Sequence, residues 1–330
     1  MKTVRLGRSG LELSAVVLGM MSYGDPGVRG PGSHAWTVGL EEARPFIRRA
    51  YDAGITAFDT ANNYSLGTSE EITGTVLKEL APREEVQIAT KVFARVRNSR
   101  NGAGLSRVAI MHEIDASLRR LQTDYVDLYQ IHRFDPMTPI EETMEALHDV
   151  VKAGKARYLG ASSMRTWQFA LMQHTAQMHG WTRFVSMQDH YNLIEREEER
   201  EMHPFCEAIG VGVLPWSPLA RGKVTRPWGE PGSGSRAETD EFTKGLYKQD
   251  DVSNKAIVDT VNQIANARGV PMAQVALAWV LGKSAVTAPI VGATKEHHID
   301  DAAAALDLEL GEDEVERLEA AYSPRHVSEV

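Results

Sequence analysis

The sequence has almost no cysteine and no long hydrophobic run. Cys206 is the one cysteine among 330 residues, which excludes an intrachain disulfide framework and favours a cytoplasmic location. No apolar run approaches the roughly 20 residues that cross a bilayer, and residues 1–5 carry charge without the apolar core of a signal peptide. With 42% hydrophobic residues the chain can nevertheless build a full core. The sequence therefore predicts a soluble cytoplasmic protein with no membrane partner.

Positive charge and nucleotide-binding glycine motifs are also scarce. The 36 Lys and Arg residues are outnumbered by 45 Asp and Glu residues, and the net charge of -9 argues against a nucleic-acid partner. No Gly-x-Gly-x-x-Gly opens a predicted helix after a strand, and Gly282-Lys283-Ser284 lacks the earlier glycine of a P-loop. The histidines have no cysteine or carboxylate at ligand spacing, so no metal site is predicted. A basic pocket for a single phosphate stays compatible with this composition.

Short apolar runs alternate with helix-like stretches from residue 15 onwards. Strands are predicted near 15–19, 55–58, 86–90, 125–130, 156–160, 184–188, 211–215 and 287–291. Helices are predicted near 41–53, 69–80, 106–121, 140–153, 165–179, 199–209 and 296–306, and a hairpin precedes them over 4–14. Eight parallel strand candidates favour a closed α/β barrel of the TIM (β/α)8 type over an open doubly wound sheet, although both folds alternate in this way. We expect one domain over residues 1–330.

Two long insertions interrupt this alternation, at 22–39 and 217–251. Both follow predicted strands and both are rich in glycine or proline. Long loops on the carboxyl face of a barrel usually carry function, so the position favours a substrate lid. The alternative is a pair of variable surface loops.

Four polar residues stand at or just beyond the carboxyl ends of predicted strands. Asp59 follows the run at 55–58, with Tyr64 five positions later, whereas Lys91 and His132 each end the runs that precede them. Parallel barrels place their active sites at these strand ends. A buried Lys beside a Tyr would lower the pKa of the phenol, and Asp would hold the Lys charged. Such a phenol can transfer a proton near neutral pH, which suits the reduction of a carbonyl group.

The sequence around these residues resembles the aldo-keto reductase superfamily, and the resemblance runs nearly from end to end. It is carried by residues 54–64, 127–132 and 160–163, and it is closest to the branch of the potassium-channel β subunits and related bacterial aldo/keto reductases. The resemblance implies that Tyr64 is the general acid, that Lys91 and Asp59 tune it, and that His132 orients the carbonyl oxygen. It implies NADPH/NADP+ as cofactor and a small-molecule aldehyde or ketone as substrate. The alternative is a slow-turnover, NADPH-sensing regulatory subunit of a partner protein.

Cofactor positions follow from the same resemblance. Those near the nicotinamide and its ribose are Gly19, Met21, Asp59, Ser162, Ser163, Gln188 and Trp216, of which Trp216 is the stacking residue. Backbone amides for the pyrophosphate fall to Ser217, Pro218, Leu219 and Gly222. The adenosine end and its 2′-phosphate fall to Arg226, Arg236, Gly292, Thr294, Lys295, His298 and Asp301. Residues 292–295 also supply backbone N–H groups and a cation at a helix start, which favours an anion.

The substrate side of the site is less determined by the sequence. Tyr23 and Phe93 are the best candidates to line the pocket, because they lie just beyond strands that carry site residues. Specificity in such a barrel depends on loop conformation, so the physiological substrate stays open. The oligomeric state is open as well, with a monomer and a homo-oligomer both compatible with the sequence.

Overall fold

Eight parallel strands alternate with helices along the chain, which confirms the predicted fold class. The computed structural model describes residues 1–30, 32–230, 246–247 and 251–325. An antiparallel hairpin of β1 (Thr3–Arg5) and β2 (Glu12–Ser14) comes first. The parallel strands are β3 (Val17–Gly19), β4 (Ala57–Asp59), β5 (Gln87–Val92), β6 (Val126–Ile131), β7 (Ala156–Ser162), β8 (Phe184–Gln188), β9 (Gly212–Val213) and β10 (Ile290–Val291).

The sheet closes on itself, so the fold is a barrel and not an open sheet. Strand order runs from β10 through β3 and then in sequence to β9. Parallel bridges join the two ends of this order, pairing Val213 with Val286 and Trp216 with Ile290. The amide of Ile290 donates to the carbonyl of Pro215 at 2.8 Å. Closure settles the alternative that the alternating pattern leaves open, and it aligns all the strand ends on one face.

Helices surround the barrel and cover its outer surface. They are α1 (Leu40–Asp52), α2 (Thr68–Leu80), α3 (Arg107–Leu121), α4 (Ile140–Lys152), α5 (Thr166–His179), α6 (Met202–Ile209), α7 (Asp251–Arg268), α8 (Met272–Leu281), α9 (Glu296–Ala304) and α10 (Glu312–Glu319). Fully buried residues such as Ile47, Ile114 and Leu147 face the strands from this layer. Sequence patterns predicted α1 to α6 and α9 to within a few residues. They did not predict α7, α8 or α10. Of these, α8 is almost entirely apolar and therefore has no amphipathic period.

The hairpin β1–β2 closes the end of the barrel opposite the strand termini that carry the polar residues. Leu6, Leu11 and Leu13 are buried in one cluster with apolar side chains of the barrel strands. The turn of the hairpin also meets the chain after α6, where the amide of Arg8 donates to the carbonyl of Gly210 at 2.8 Å. This end of the barrel is therefore packed, and the opposite end is left for ligands.

The first insertion lies against the turn that carries Tyr64. Its two ends pair with each other, since the amide of Gly24 donates to the carbonyl of Val38 at 2.9 Å. Its middle reaches the catalytic turn, where the amide of Ser65 donates to the carbonyl of Gly32 at 2.9 Å. The second insertion is described at 217–230 and 246–247, and the rest of it lies outside the described residues.

The hairpin turn gives a testable stability difference between two glycines. Gly7 has φ +57°, and a Cβ there would lie 2.5 Å from the carbonyl oxygen of Gly210. Gly180, which ends α5, has a similar φ of +68° but nothing within 4 Å of such a Cβ. We expect Gly7→Ala to lower the free energy of unfolding by about 1–3 kcal/mol more than Gly180→Ala, because only the first adds a clash to the strain. Urea unfolding measures both, and equal losses would show that the contact yields without cost.

Candidate active site

The four predicted catalytic residues lie together at the carboxyl end of the barrel. Asp59 is the last residue of β4, Lys91 lies in β5, and His132 directly follows β6. Tyr64 lies in a short 3-10 turn between β4 and α2. Because these strands are neighbours in the sheet, their side chains converge, and this is the grouping that the sequence predicts.

Lys91 is the centre of the cluster and contacts both of its ionisable neighbours. Its Nζ donates to Asp59 Oδ2 at 2.5 Å and to the phenolic oxygen of Tyr64 at 3.2 Å. A third bond goes to the backbone carbonyl of Thr60 at 2.9 Å. The side chain of Lys91 is 0% exposed. All three ammonium protons are therefore used within the protein, and one of them points at the hydroxyl of Tyr64.

The second oxygen of Asp59 is held by two amides that lie deeper in the barrel. Gln130 and Gln188 each donate from Nε2 to Asp59 Oδ1 at 2.9 Å. Gln188 Nε2 also lies 3.1 Å from Gln130 Oε1. Sequence reasoning did not select Gln130, although an amide between Tyr129 and Ile131, two residues before His132, was an available signal. These amides fix the carboxylate, so it meets Lys91 in one orientation.

At neutral pH the side chain of Lys91 is charged, whereas that of His132 is neutral. Burial opposes the charge of Lys91, but Asp59 and Tyr64 outweigh it, and the pKa of Lys91 rises above its ordinary value. Burial, followed by the charges of Lys91 and Arg133, lowers the pKa of His132 well below its ordinary value. The ring of His132 meets that of Tyr64 edge to face, with 5.8 Å between centroids. The phenol therefore lies between an ammonium and a neutral imidazole.

The turn that carries Tyr64 has unusual backbone geometry. Ser65 and Leu66 have φ values of 46° and 51°, in the left-handed region that non-glycine residues seldom occupy. The bond from the Ser65 amide to Gly32 stabilises this turn from the first insertion. Backbone strain of this kind persists where the surroundings enforce it, which is common at functional sites.

Comparison with known proteins agrees with this geometry. The sequence model of the Aldo/keto reductase family matches residues 15–323. The chain belongs to the aldo/keto reductase family. The match covers every barrel strand and all four clustered residues. The family is therefore the one that the sequence resemblance indicated.

Curated relatives align with almost the whole chain. It is 44% identical to versiconal hemiacetal acetate reductase of Aspergillus parasiticus, over 99% of this chain and 98% of that protein. It is 44% identical to aldo-keto reductase AMT2 of Alternaria alternata, over 96% of this chain and 90% of that protein. A Schizosaccharomyces pombe protein that is provisionally named aryl-alcohol dehydrogenase C977.14c is 43% identical, over 97% and 95% of the two chains. This aldo/keto reductase is therefore an oxidoreductase.

Beside the catalytic cluster, Trp216 forms a flat wall of the aldo/keto reductase site. Its indole Nε1 donates to Ser163 Oγ at 3.0 Å, and Ser163 has a φ of 42°. The hydroxyls of Ser162 and Ser163 lie 3.3 Å apart. The side-chain amide of Gln188 donates both of its N–H groups within the protein, to Asp59 and to Gln130. Its carbonyl oxygen can therefore accept a hydrogen bond from a ligand. The polar groups predicted around the nicotinamide carboxamide are therefore close together.

The chain that follows Trp216 folds into a tight, irregular turn. Ser217, Ala220 and Arg221 have φ values of 52°, 48° and 55°, and Gly222 has 90°. The amide of Ala220 donates to the carbonyl of Ser217 at 2.9 Å, and that of Gly222 donates to the carbonyl of Leu219 at 2.8 Å. Pro218 is buried and Leu219 is half-buried within this turn. That this segment holds a pyrophosphate stays a prediction from the resemblance.

The residues predicted to bind the adenosine end and its 2′-phosphate include a loop after the last barrel strand. Gly292 and Lys295 are exposed between β10 and the start of α9. The amide of Thr294 donates to His298 Nδ1 at 3.3 Å, which ties the loop to the first turn of the helix. Asp301 accepts a hydrogen bond from Gln274 at 2.8 Å and so has a partner within the protein.

Two arginines were predicted to approach the same phosphate from the second insertion. Arg226 is half-buried, and its Nε donates to the carbonyl of Glu230 at 3.2 Å. Burial lowers the pKa of Arg226, although Glu230 opposes that effect. A Cβ on Gly222 would lie 3.0 Å from the guanidinium of Arg226, so this arginine lies beside the irregular turn. Arg236 lies outside the described residues.

Of the two residues predicted to line the substrate pocket, the structure leaves one accessible. Tyr23 is 0% exposed, and its hydroxyl donates to the carbonyl of Ala293 at 2.7 Å, so its surface belongs to the core. Phe93 is half-buried just beyond β5. Near the first strand, Met21 is half-buried, and Gly19 permits close packing, since a Cβ there would lie 2.9 Å from Ile290.

Metal ligation and membrane insertion have no support in the described ranges. Residues 1–30, 32–230, 246–247 and 251–325 contain no group of three or more His, Cys, Asp or Glu side chains arranged to hold a metal ion. Among the helices of those ranges, none is long and apolar enough to cross a membrane.

Three buried histidines provide a test of the site's electrostatics. We expect the imidazole of His132 to stay neutral from pH 5.5 to 8, because burial and Lys91 depress its pKa. His190, with its pKa lowered to about 3 by burial, should not titrate in that range either. His203 should titrate above its ordinary value near 6.5, because the carboxylate of Asp189 at 2.9 Å outweighs the burial that opposes its charge.

The measurement is an NMR titration of the histidine ring protons, with each resonance assigned from its own His→Asn variant. A midpoint near pH 6.5 for His132 would contradict the proposed charge arrangement around Tyr64.

Proposed function

We propose that this chain reduces aldehydes or ketones to alcohols with NADPH, and that Tyr64 donates the proton. The observation that carries the proposal is the buried chain of contacts from Asp59 through Lys91 to the hydroxyl of Tyr64, at 2.5 and 3.2 Å. A phenol is a weak acid by itself. An ammonium held against its oxygen stabilises the negative charge that appears when the proton leaves.

His132 contributes to the same proton transfer on the side of the substrate, at the oxygen that receives the proton. A neutral imidazole can donate a hydrogen bond to a carbonyl oxygen without contributing a second positive charge beside Lys91. Its edge-to-face contact with Tyr64 puts the two rings side by side. We assign to His132 the orientation of the carbonyl oxygen towards the phenolic proton.

The residues at the barrel mouth fit a nicotinamide dinucleotide. When bound, NADPH supplies a hydride for the carbonyl carbon. Trp216 offers an indole face for stacking, while Ser163 and the carbonyl oxygen of Gln188 offer partners for a carboxamide. The backbone amides of Ser217 and Leu219 would hold the pyrophosphate, because those of Ala220 and Gly222 donate within the turn. The loop at 292–295 and the start of α9 would hold the phosphate of the adenosine ribose.

An aromatic aldehyde is the first substrate that we would test. Phe93 is the accessible aromatic residue beyond β5, and one relative is named as an aryl-alcohol dehydrogenase. An aromatic wall favours a flat, apolar substrate with one polar group directed at the catalytic cluster. The single buried cysteine also accords with a cytoplasmic enzyme.

Removal of one hydroxyl tests the proton donor. We expect Tyr64→Phe to lower turnover of an aromatic aldehyde by about 10²–10⁴-fold, because positioned proton transfer contributes that much, while NADPH binding is retained. Tyr51→Phe is the matched control, since it removes a hydroxyl whose partner is the exposed Glu85. Steady-state kinetics and a fluorescence titration with NADPH measure the two quantities.

Two outcomes would count against the proposal. Near-wild-type turnover in Tyr64→Phe would exclude Tyr64 as the donor. Wild-type rates far below about 1 s⁻¹ on every carbonyl compound tried, with tight NADPH binding, would favour the alternative of a cofactor-sensing regulatory subunit.

The choice between NADPH and NADH gives a separate test. Lys295 is an exposed cation at the start of α9, where a phosphate would gain from its charge and from the helix N-terminus. We expect Lys295→Ala to reduce the ratio of NADPH affinity to NADH affinity by about tenfold or more, the size expected for one hydrogen bond to a charged group. Lys255→Ala, on the outer helix α7, should leave the ratio unchanged. A ratio unaffected by Lys295→Ala would show that other residues select the phosphate.

A further inference from the structure

An imidazole ring lies flat against Trp216. The ring centroids of His190 and Trp216 are 4.1 Å apart, and their planes differ by 7°. His190 is 7% exposed, so it is part of the protein interior. Since His190 covers one face of the indole, a ligand ring can stack only on the opposite face.

His190 is itself held by a small polar network. Its Nε2 lies 2.7 Å from the hydroxyl of Tyr247 and 3.3 Å from Nδ2 of Asn192. Asn192 Nδ2 also donates to the backbone carbonyl of Ser217, at 3.1 Å. Asn192 Nδ2 lies 3.2 Å from the hydroxyl of Tyr247 as well, so the three side chains form one connected group. The ring of His190 is thus restrained in its plane by two neighbours at Nε2.

The charge state of His190 suits a stacking role. Burial, with the nearby positive charges of Arg221, Arg325 and Arg133, lowers the pKa of His190 to about 3. The ring is therefore neutral throughout the physiological range, and it packs against the indole as an aromatic surface.

Trp216 is restrained along its edge as well as across its face. Its Nε1 donates to Ser163 Oγ at 3.0 Å, and its backbone amide donates to the carbonyl of Asp189 at 2.7 Å. The edge contact sets the rotation of the indole, while the flat contact with His190 sets its tilt. Of these restraints, only the stack with His190 connects the indole to the second insertion, because His190 also hydrogen-bonds to Tyr247 in that insertion.

We propose that His190, held by Tyr247, is a positioning residue that fixes the indole of Trp216 at the angle needed to stack on the nicotinamide ring. This inference rests on the proposed function, because it takes Trp216 as the stacking residue. It adds that the second insertion acts on the cofactor ring through Tyr247, His190 and Trp216. Sequence reasoning treated His190 as one of several histidines without a function.

The chain offers a matched pair of histidine–tryptophan stacks for the experiment. His179 stacks on Trp181 with centroids 4.3 Å apart and planes 13° apart, at the end of α5 and away from the site. His179→Ala therefore removes a stack of the same type without touching the barrel mouth. His190→Ala removes the proposed support, and His190→Phe keeps a flat ring while losing the bond to Tyr247.

We expect His190→Ala to raise the Kd for NADPH by about two- to tenfold, the loss expected for one aromatic contact. Turnover should fall with it, whereas the KM for the carbonyl substrate should stay close to wild type, because His190 lies behind the indole. His190→Phe should recover most of the affinity, and Tyr247→Phe should give a smaller loss. His179→Ala should change neither quantity.

Fluorescence titration with NADPH, steady-state kinetics and urea unfolding make these measurements on the full chain. The proposal is overturned if His190→Ala binds NADPH like wild type, or if His190→Phe is as impaired as His190→Ala, since a flat ring behind the indole would then not be what supports cofactor binding. Either result leaves the proposed function intact. Failure of the wild-type protein to bind NADPH at all would overturn both.

Discussion

The buried ion pair of Asp59 and Lys91 is the interaction on which the site depends. Neither charge is solvated, so each relies on the other and on a full set of hydrogen bonds. Those bonds come from Gln130 and Gln188 to the carboxylate, and from the ammonium to the Thr60 carbonyl. Removal of one partner would leave a buried charge uncompensated, which typically costs about 3–5 kcal/mol. The strands β4, β5, β6 and β8 must therefore keep their relative positions for the pair to exist.

Strain and charge are concentrated at the same end of the barrel. Left-handed backbone occurs at Ser65 beside Tyr64, at Ser163 beside the carboxamide partners, and at Ser217 after Trp216. Each of these residues turns the chain sharply just after a strand or beside the cluster, which places a polar group towards the mouth. Such conformations cost of order 1–3 kcal/mol each and are maintained by the packed remainder of the barrel. The closed sheet thus stabilises strained turns at the carboxyl ends of the strands, which would not keep these conformations by themselves.

Local patterns in the sequence were sufficient for the βα units and for the residues that group at the strand ends. Each βα unit has its own apolar period, and each of Asp59, Lys91 and His132 directly follows or ends such a run, so neither inference needs long-range information. Closure of the barrel depends on contacts between β9 and β10, and the alternation by itself left it open. Gln130 and His190 were missed because their roles depend on partners 71 and 57 positions away. Tyr23 illustrates the reverse case, since its position after a strand suggested a ligand contact while its hydroxyl bonds to Ala293, which follows the neighbouring strand β10. Contacts of this kind exist only in three dimensions.

The closure of the barrel between β9 and β10 has a mechanical consequence. Two isolated bridges make this joint, and one of them pairs Trp216 with Ile290. The proposed cofactor site lies on both sides of it, with the indole on one side and residues 292–295 on the other. A dinucleotide bound there would contact residues on both sides of the junction, so β9 and β10 could separate only after the ligand dissociates. By mass action, binding would then stabilise this junction of the barrel.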